Sequence, residues 1–166
     1  TSKPKTEVVI KFARVDVQMS EKRLAREIRL LENFDKTKPK NVVAYIDESD
    51  ESVEELFLVM EYLEGQTLEE RIGSKKLDSE TVINFSKDIA EALGGVHGLY
   101  TIHRDLKPAN LVVVRRNGEE HCVLVDFGIG KLTTEDSTTG APGTPAWSCK
   151  HNDHMPSRVN DDCDIY

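Results

Sequence analysis

The dipeptide Asn117-Gly118 constrains this chain of 166 residues more than any other feature. It lies between two short, β-branched and apolar runs, Leu111 to Val114 and His121 to Val125. A tight two-residue hairpin needs positive φ at both turn positions, and Asn and Gly tolerate that with little strain. An antiparallel hairpin is therefore expected, and a hairpin brings its two ends together. His103-Arg104-Asp105-Leu106-Lys107-Pro108-Ala109-Asn110 precedes it, and Asp126-Phe127-Gly128 follows it directly. Asp105 and Asn110 should thus lie beside Asp126. Two carboxylates and an amide gathered in this way are a good oxygen-ligand set for Mg²⁺ bound to a phosphorylated substrate.

Upstream, Val8-Val9-Ile10-Lys11-Phe12-Ala13 is β-branched and reads as a strand. Ser20 is placed to cap a helix running to about Asn33. Two further strands are expected near Val42 to Ile46 and Leu56 to Tyr62, with the acidic stretch Asp47 to Glu55 as the loop between them. Gly65 ends this block, and the apolar spacing then turns helical. Asp78 is placed to cap a helix in which Val82, Phe85, Ile89, Leu93 and Val96 recur at helical spacing. Gly94-Gly95 weakens that helix by roughly 1 kcal/mol per glycine relative to alanine, so close packing is expected there. From Leu132 to Pro156 the chain is rich in Thr, Ser, Gly, Pro and Asp without periodicity, and it reads as a long functional loop. Strands with one helix, followed by helix and hairpin, predict an α+β fold with a small antiparallel sheet lobe on a larger helical one.

Composition bears mainly on partners. With 38% hydrophobic and 31% charged residues, a globular chain of one domain is expected. A net charge of -8 argues against nucleic acid or an anionic membrane surface as the main partner. No apolar run approaches the roughly 20 residues that span a bilayer. Cys122, Cys149 and Cys163 lack close pairing, so free thiols in a reducing, cytoplasmic setting are expected. Zinc near Cys149, Cys163, His151 and His154 is disfavoured, because tight ligand pairs two to four residues apart are absent.

In the first helix Leu24, Ile28 and Leu31 fall on one face, and Glu27 falls on the same face. A carboxylate within an apolar stripe is costly unless paired. The bland alternative is a boundary glutamate reaching out to water.

The two motifs flanking the hairpin resemble the catalytic loop and metal-binding triplet of eukaryotic-type serine/threonine protein kinases. The similarity extends over nearly the whole chain. Val8-Val9-Ile10-Lys11 resembles the strand with the phosphate-binding lysine, and Met60-Glu61-Tyr62-Leu63 the adenine-binding hinge with Met60 as gatekeeper. Gly143-Thr144-Pro145 is similar to the substrate-docking end of the activation segment. Asp164-Ile165-Tyr166 looks like the start of the buried helix that anchors the catalytic loop. The resemblance implies a two-lobe kinase fold, with residues 1–63 as an incomplete small lobe and hinge and 64–166 as an incomplete helical lobe. It implies that both ends of the domain lie outside the chain, since no glycine-rich loop precedes Lys11.

By the same resemblance, Asp105 would orient the substrate hydroxyl and accept its proton, and Lys107 would neutralise charge on the transferring phosphoryl group. Asn110 and Asp126 would hold Mg²⁺, and Lys11, paired with Glu27, would grip the α and β phosphates of ATP. Val9 and Val112 would sandwich adenine beside Glu61 and Leu63. His103 and Phe127 read as packing residues. The acceptor would be a Ser or Thr on a protein, since a lysine two residues after the base is the serine/threonine form. Arg104 and Lys131 would receive a phosphate carried by Thr139 or Thr138, ordering the loop. Where the family has Ala-Pro-Glu, this chain reads Cys149-Lys150-His151. A pseudokinase scaffold and a small-molecule kinase of related fold are the rival readings. The full set Lys11, Glu27, Asp105, Asn110 and Asp126 argues against the first, and Arg104, Lys107 and the docking segment argue against the second.

Overall fold

Val8–Phe12 forms strand β1, as its β-branched run predicts. In the computed structural model, which describes residues 7–14, 20–50, 53, 55–128, 131–132 and 164, β1 is followed by helix α1, Ser20–Asp35. Strands β2, Tyr45–Glu48, and β3, Phe57–Glu61, complete a three-stranded antiparallel sheet in the order β1-β3-β2. Its register sets Lys11 opposite Leu58 and Val9 opposite Met60. Helix α1 buries Leu24, Glu27, Ile28, Leu30, Leu31 and Phe34, so the predicted stripe, glutamate included, faces the core. Ser20 lies within the helix, and its hydroxyl accepts from the Arg14 N–H at 2.7 Å.

The strand expected from Val42 begins only at Tyr45. Val42 and Val43 instead run beside Leu124, where the Val43 N–H donates to the Leu124 carbonyl at 3.0 Å. Their apolar side chains are buried, but their backbone serves the second half of the chain. Gly65 likewise does not end the strand region. Gly65–Thr67 is strand β4, paired with Val112 to Val114. A Cβ on Gly65 would stand 2.1 Å from the Val113 carbonyl oxygen, so only glycine permits this approach. Helix α2, Leu68–Ser74, then starts on a capping box formed by Thr67 and Glu70.

Helix α3, Ser79–His97, starts at Asp78 as expected, with the Thr81 N–H donating to Asp78 Oδ1 at 2.8 Å. Phe85, Leu93 and Val96 are buried, whereas Val82 is 46% exposed and lies outside the core. Gly95 accounts for the close packing: a Cβ there would come within 2.6 Å of Pro39 Cβ, while Gly94 faces open space. Strand β5, Thr101–Ile102, leads to the one-turn 3-10 helix Pro108–Asn110. Strands β6, Leu111–Arg116, and β7, Glu119–Leu124, form the predicted hairpin, with φ of 52° at Asn117 and 90° at Gly118. Strand β8, Lys131–Leu132, pairs with β5.

One apolar core runs through both halves, from Leu31, Phe34 and Leu58 to Val96, Leu124 and Phe127. The Phe34 and Phe127 rings meet edge-on at 5.1 Å. Each such fully buried side chain contributes about 1.5–3 kcal/mol. The architecture is the α+β kinase-like arrangement that the sequence predicts. Thr138, Thr139, Gly143-Thr144-Pro145, Cys149, His151, His154, Cys163, Ile165 and Tyr166 lie outside the described residues, as does the side chain of Lys131.

Candidate active site

Asp164 organises the segment that carries Asp105. It is 3% exposed, and its two oxygens accept from consecutive backbone N–H groups, His103 on Oδ2 and Arg104 on Oδ1, each at 2.7 Å. His97 Nε2 lies 2.9 Å from the same Oδ2. This clasp holds Arg104 at a φ of 69° and turns the chain so that Asp105 projects away from the core. His103 is fully buried. Its Nε2 lies 3.2 Å from the Val125 carbonyl, its Nδ1 accepts from the Asp105 N–H at 3.3 Å, and its ring packs edge-on against Phe127. A neutral imidazole with its proton on Nε2 satisfies both contacts. His103 and Phe127 are thus the packing residues that the sequence predicts.

Asp105 Oδ2 receives Lys107 Nζ at 2.7 Å and Asn110 Nδ2 at 3.1 Å. The same amide nitrogen donates to the Asp105 carbonyl at 2.9 Å, which leaves the amide oxygen of Asn110 for another partner. The Asn110 carbonyl accepts from the Val125 N–H at 3.0 Å, so the hairpin's ends meet where Asp126 begins.

Lys11 Nζ lies 2.7 Å from Glu27 Oε2 and 3.0 Å from Asp126 Oδ1. Glu27 is 1% exposed, and its other oxygen accepts from the Phe127 N–H at 3.3 Å, so the snorkelling alternative is excluded. Burial pushes the Glu27 carboxyl above its ordinary value, against the pull of Lys11. Burial alone would lower Lys11, yet Glu27 and Asp126 together hold its ammonium above the usual lysine value. For Asp126, burial acts to raise the carboxyl, but Lys11 and the Gly128 N–H outweigh it and hold it low. Asp126 takes a φ of 65°.

A cleft of about 210 Å³ is lined by Lys11, Arg23, Glu27, Asp105, Asp126 and Gly128, among others. Lys11, Glu27, Asp105 and Asp126 therefore open onto one space, whereas Lys107 and Asn110 do not line it and join it only through the Asp105 carboxylate. Val9, Met60, Glu61, Leu63 and Val112 do not line this cleft. Val9 and Met60 face each other across β1 and β3, while Glu61 is engaged through Ala44, whose N–H donates to Glu61 Oε1 at 2.8 Å. Among the described residues, no three His, Cys, Asp or Glu side chains are grouped to hold a metal ion, and no helix is long and apolar enough to cross a membrane.

Two polar anchors escaped the sequence reading. Arg71 makes a forked contact with Glu120, at 3.1 Å and 3.2 Å from Nε, tying α2 to β7. Asp88, 8% exposed in the middle of α3, accepts from the Cys122 N–H at 2.9 Å. Its signal was the one used for Glu27: a carboxylate set between Phe85, Ile89 and Ala92 on an apolar face.

The chain matches the family model described as the protein kinase domain over residues 1–150. It is 34% identical over 137 residues to the serine/threonine-protein kinase pkn3 of Myxococcus xanthus, covering 81% of this chain and 25% of that protein. It is 35% identical to myosin light chain kinase A of Dictyostelium discoideum, over 76% of this chain and 42% of the relative. Calcium/calmodulin-dependent protein kinase type 1 of Caenorhabditis elegans is also 35% identical, over 76% of this chain and 36% of the relative. The chain thus spans between a quarter and about two fifths of these relatives. With the family match covering the β1 lysine, the Asp105 loop and the Asp126 triplet, this chain belongs to the protein kinase family.

Proposed function

We propose that the protein transfers the γ-phosphoryl group of ATP to serine or threonine hydroxyls of protein substrates. The observation that carries the reading is the shared cleft of Lys11, Asp105 and Asp126, with Lys107 and Asn110 both on the Asp105 carboxylate. The relatives bearing serine/threonine-protein kinase names support the acceptor class.

In this reading Asp105 accepts the proton of the substrate hydroxyl, and the hydrogen bonds from Lys107 and Asn110 hold its carboxylate in place. Lys107 adds positive charge where the transferring group sits, and Lys11 binds the α and β phosphates while Glu27 holds its ammonium. The hinge around Glu61 and Leu63 takes adenine, with Val9 and Val112 on its faces and Met60 behind. Mg²⁺ fits the donor set: the Asp126 carboxylate, held low and therefore ionised, and the uncommitted Asn110 amide oxygen are hard oxygen ligands. When bound, the metal neutralises charge on the phosphate oxygens. Residues 1–63 act as the small lobe and hinge in this scheme, and 64–166 belong to the helical lobe. Phosphorylation of Thr139 or Thr138, received by Arg104 and Lys131, would regulate the site. A reducing, cytoplasmic setting belongs to the same reading, and Cys122 is a free, buried thiol.

The test is transfer from labelled ATP with Mg²⁺ to a basic protein carrying Ser and Thr, followed by identification of the modified residue. Asp105→Asn is expected to abolish transfer and leave nucleotide affinity within about threefold, because the base contacts the acceptor rather than ATP. Wild-type turnover by this variant, or transfer to tyrosine alone, would overturn the reading.

A further inference from the structure

One wall of the cleft is a single face of α1. Ser20, Arg23, Leu24 and Glu27, spaced i, i+3, i+4 and i+7, all line it, while Asp105, Asp126 and Gly128 line the same space from the second half of the chain. Most groups on this wall are already engaged. Glu27 holds the Lys11 ammonium and the Phe127 N–H, the Ser20 hydroxyl accepts from the Arg14 N–H, and Leu24 is buried in the core. The lysines nearby are engaged too: Lys11 Nζ serves two carboxylates, and Lys107 Nζ holds Asp105. The Arg23 guanidinium differs, being exposed and paired with no carboxylate among the described residues. Nor does it serve the helix. Arg23 closes the first turn of α1, where the backbone dipole is positive and a cation is unfavourable.

Four residues of helix set Arg23 about 6 Å along the axis from Glu27, toward the start of α1. In the reading above, Lys11 and Asp126 take the nucleotide side of the cleft, so the exposed Arg23 meets what enters from solvent. A hydroxyl that reaches Asp105 brings its flanking residues into the same space of about 210 Å³. A guanidinium without a partner offers a planar fork of N–H donors that matches a carboxylate. We propose that Arg23 is a specificity-determining residue that binds an aspartate or glutamate side chain flanking the accepting serine or threonine. The proposal rests on the phosphotransfer reading for the role of Asp105 and adds to it the class of peptide sequence selected. The same guanidinium repels an arginine or lysine at that position, so selection works in both directions. The chain carries a net charge of -8, but charges beyond about 8 Å are largely screened at physiological salt, and the local cation governs the choice.

The test uses the full chain and peptides with one serine among alanines, in which each flanking position is changed in turn to Asp or Arg. At one position Asp should raise kcat/KM about fivefold over Ala, chiefly through KM, and Arg should lower it by a similar factor, as a partly exposed ion pair allows. Arg23→Ala should bring the Asp-to-Ala ratio to about one, and Arg23→Glu should invert it in favour of Arg. Lys22→Glu makes the same change of charge at the neighbouring exposed position, which does not line the cleft, and should leave the ratio as in wild type. Because ratios between peptides are compared, a general loss of activity in a variant does not imitate the effect. No acidic preference at any position in wild type, an Asp-to-Ala ratio that survives Arg23→Glu, or an equal shift in Lys22→Glu would overturn the proposal. The basic acceptor protein used above tests transfer as such and keeps the two readings apart. If wild type transfers phosphate neither to it nor to any peptide, the functional reading fails, and fluorescence anisotropy with labelled Asp and Arg peptides decides the role of Arg23. That role stands if wild type binds the Asp peptide more tightly and Arg23→Glu reverses the order, and it falls otherwise.

Discussion

Lys11 Nζ lies 3.0 Å from Asp126 Oδ1, across 115 residues of sequence, while the same ammonium contacts Glu27 at 2.7 Å. One cation therefore joins β1, α1 and the end of the hairpin. Its partners differ in kind: Glu27 is 1% exposed and pushed up by burial, whereas the Asp126 carboxyl is held low. A buried pair of this sort gains attraction and loses hydration in similar measure.

Glu27→Gln keeps the shape of the side chain and removes its charge. Because the Lys11 side chain is 37% exposed and keeps Asp126 at 3.0 Å, the ammonium left behind is neither fully buried nor unpaired, and stability should fall by only about 1 kcal/mol. The Lys11 ammonium loses its fixed partner, and kcat/KM should fall by about tenfold or more. Denaturant midpoints and initial rates at varied ATP check this. A stability loss above about 3 kcal/mol with unchanged rates would make the pair structural instead.

Asp164→Asn replaces two acceptor oxygens with one acceptor and one donor, so the His103 or Arg104 N–H faces a second donor. A buried donor left without its charged acceptor costs about 1–3 kcal/mol. Catalysis should fall with it, since the clasp aims Asp105. Nucleotide affinity, which depends on the Lys11 side of the cleft, should stay within about threefold. Calorimetric melting together with nucleotide titration separates the two effects.

Gly65→Ala places a methyl group against backbone rather than against a yielding side chain, 2.1 Å from the Val113 carbonyl oxygen. Strand β4 must pull away from β6, and overpacking of this kind costs roughly 1–3 kcal/mol. Gly73→Ala, with nothing within 4 Å of its Cβ, serves as the control and should be neutral or slightly stabilising. Equal denaturant midpoints for the two variants would contradict the close approach.

Burial, with Asp88 and Glu120 adding to it, pushes the Cys122 thiol up to about 12. The reactive thiolate is therefore scarce at neutral pH, and the side chain is 1% exposed. Alkylation at pH 8, followed peptide by peptide in a mass spectrometer, should leave Cys122 unmodified in the folded protein and label it fully in denaturant. Rapid labelling under native conditions would show that α3 and β7 open readily.

The elements legible in the sequence are those whose cause is local. Asn117-Gly118 needs only its own φ preferences to form a hairpin, and Asp78 needs only the Thr81 N–H three residues on to start a helix. Glu27 was legible because helical spacing set a carboxylate among Leu24, Ile28 and Leu31. Strand β4 was not, since three residues carry no readable period and Gly65 reads as a break until Val113 lies against it. The Thr67 and Glu70 capping box has a local cause too, a threonine followed three residues later by a glutamate.

By itself, then, the sequence determined which residues meet across the hairpin, because a turn of two residues leaves the flanking segments no other place to go. That was enough to bring Asp105, Asn110 and Asp126 into one neighbourhood and to indicate the family. Only the tertiary structure decided that Lys11 reaches Asp126 as well as Glu27, that Asp164 clasps His103 and Arg104, and that Val42 and Val43 give their backbone to Leu124 rather than to β2. Each of these contacts joins groups from 60 to more than 100 residues apart, or competes with an equally good local partner. The free energy that selects among such partners comes from packing the shared core around Phe34, Leu124 and Phe127, a property of the assembled fold that no local window of residues contains.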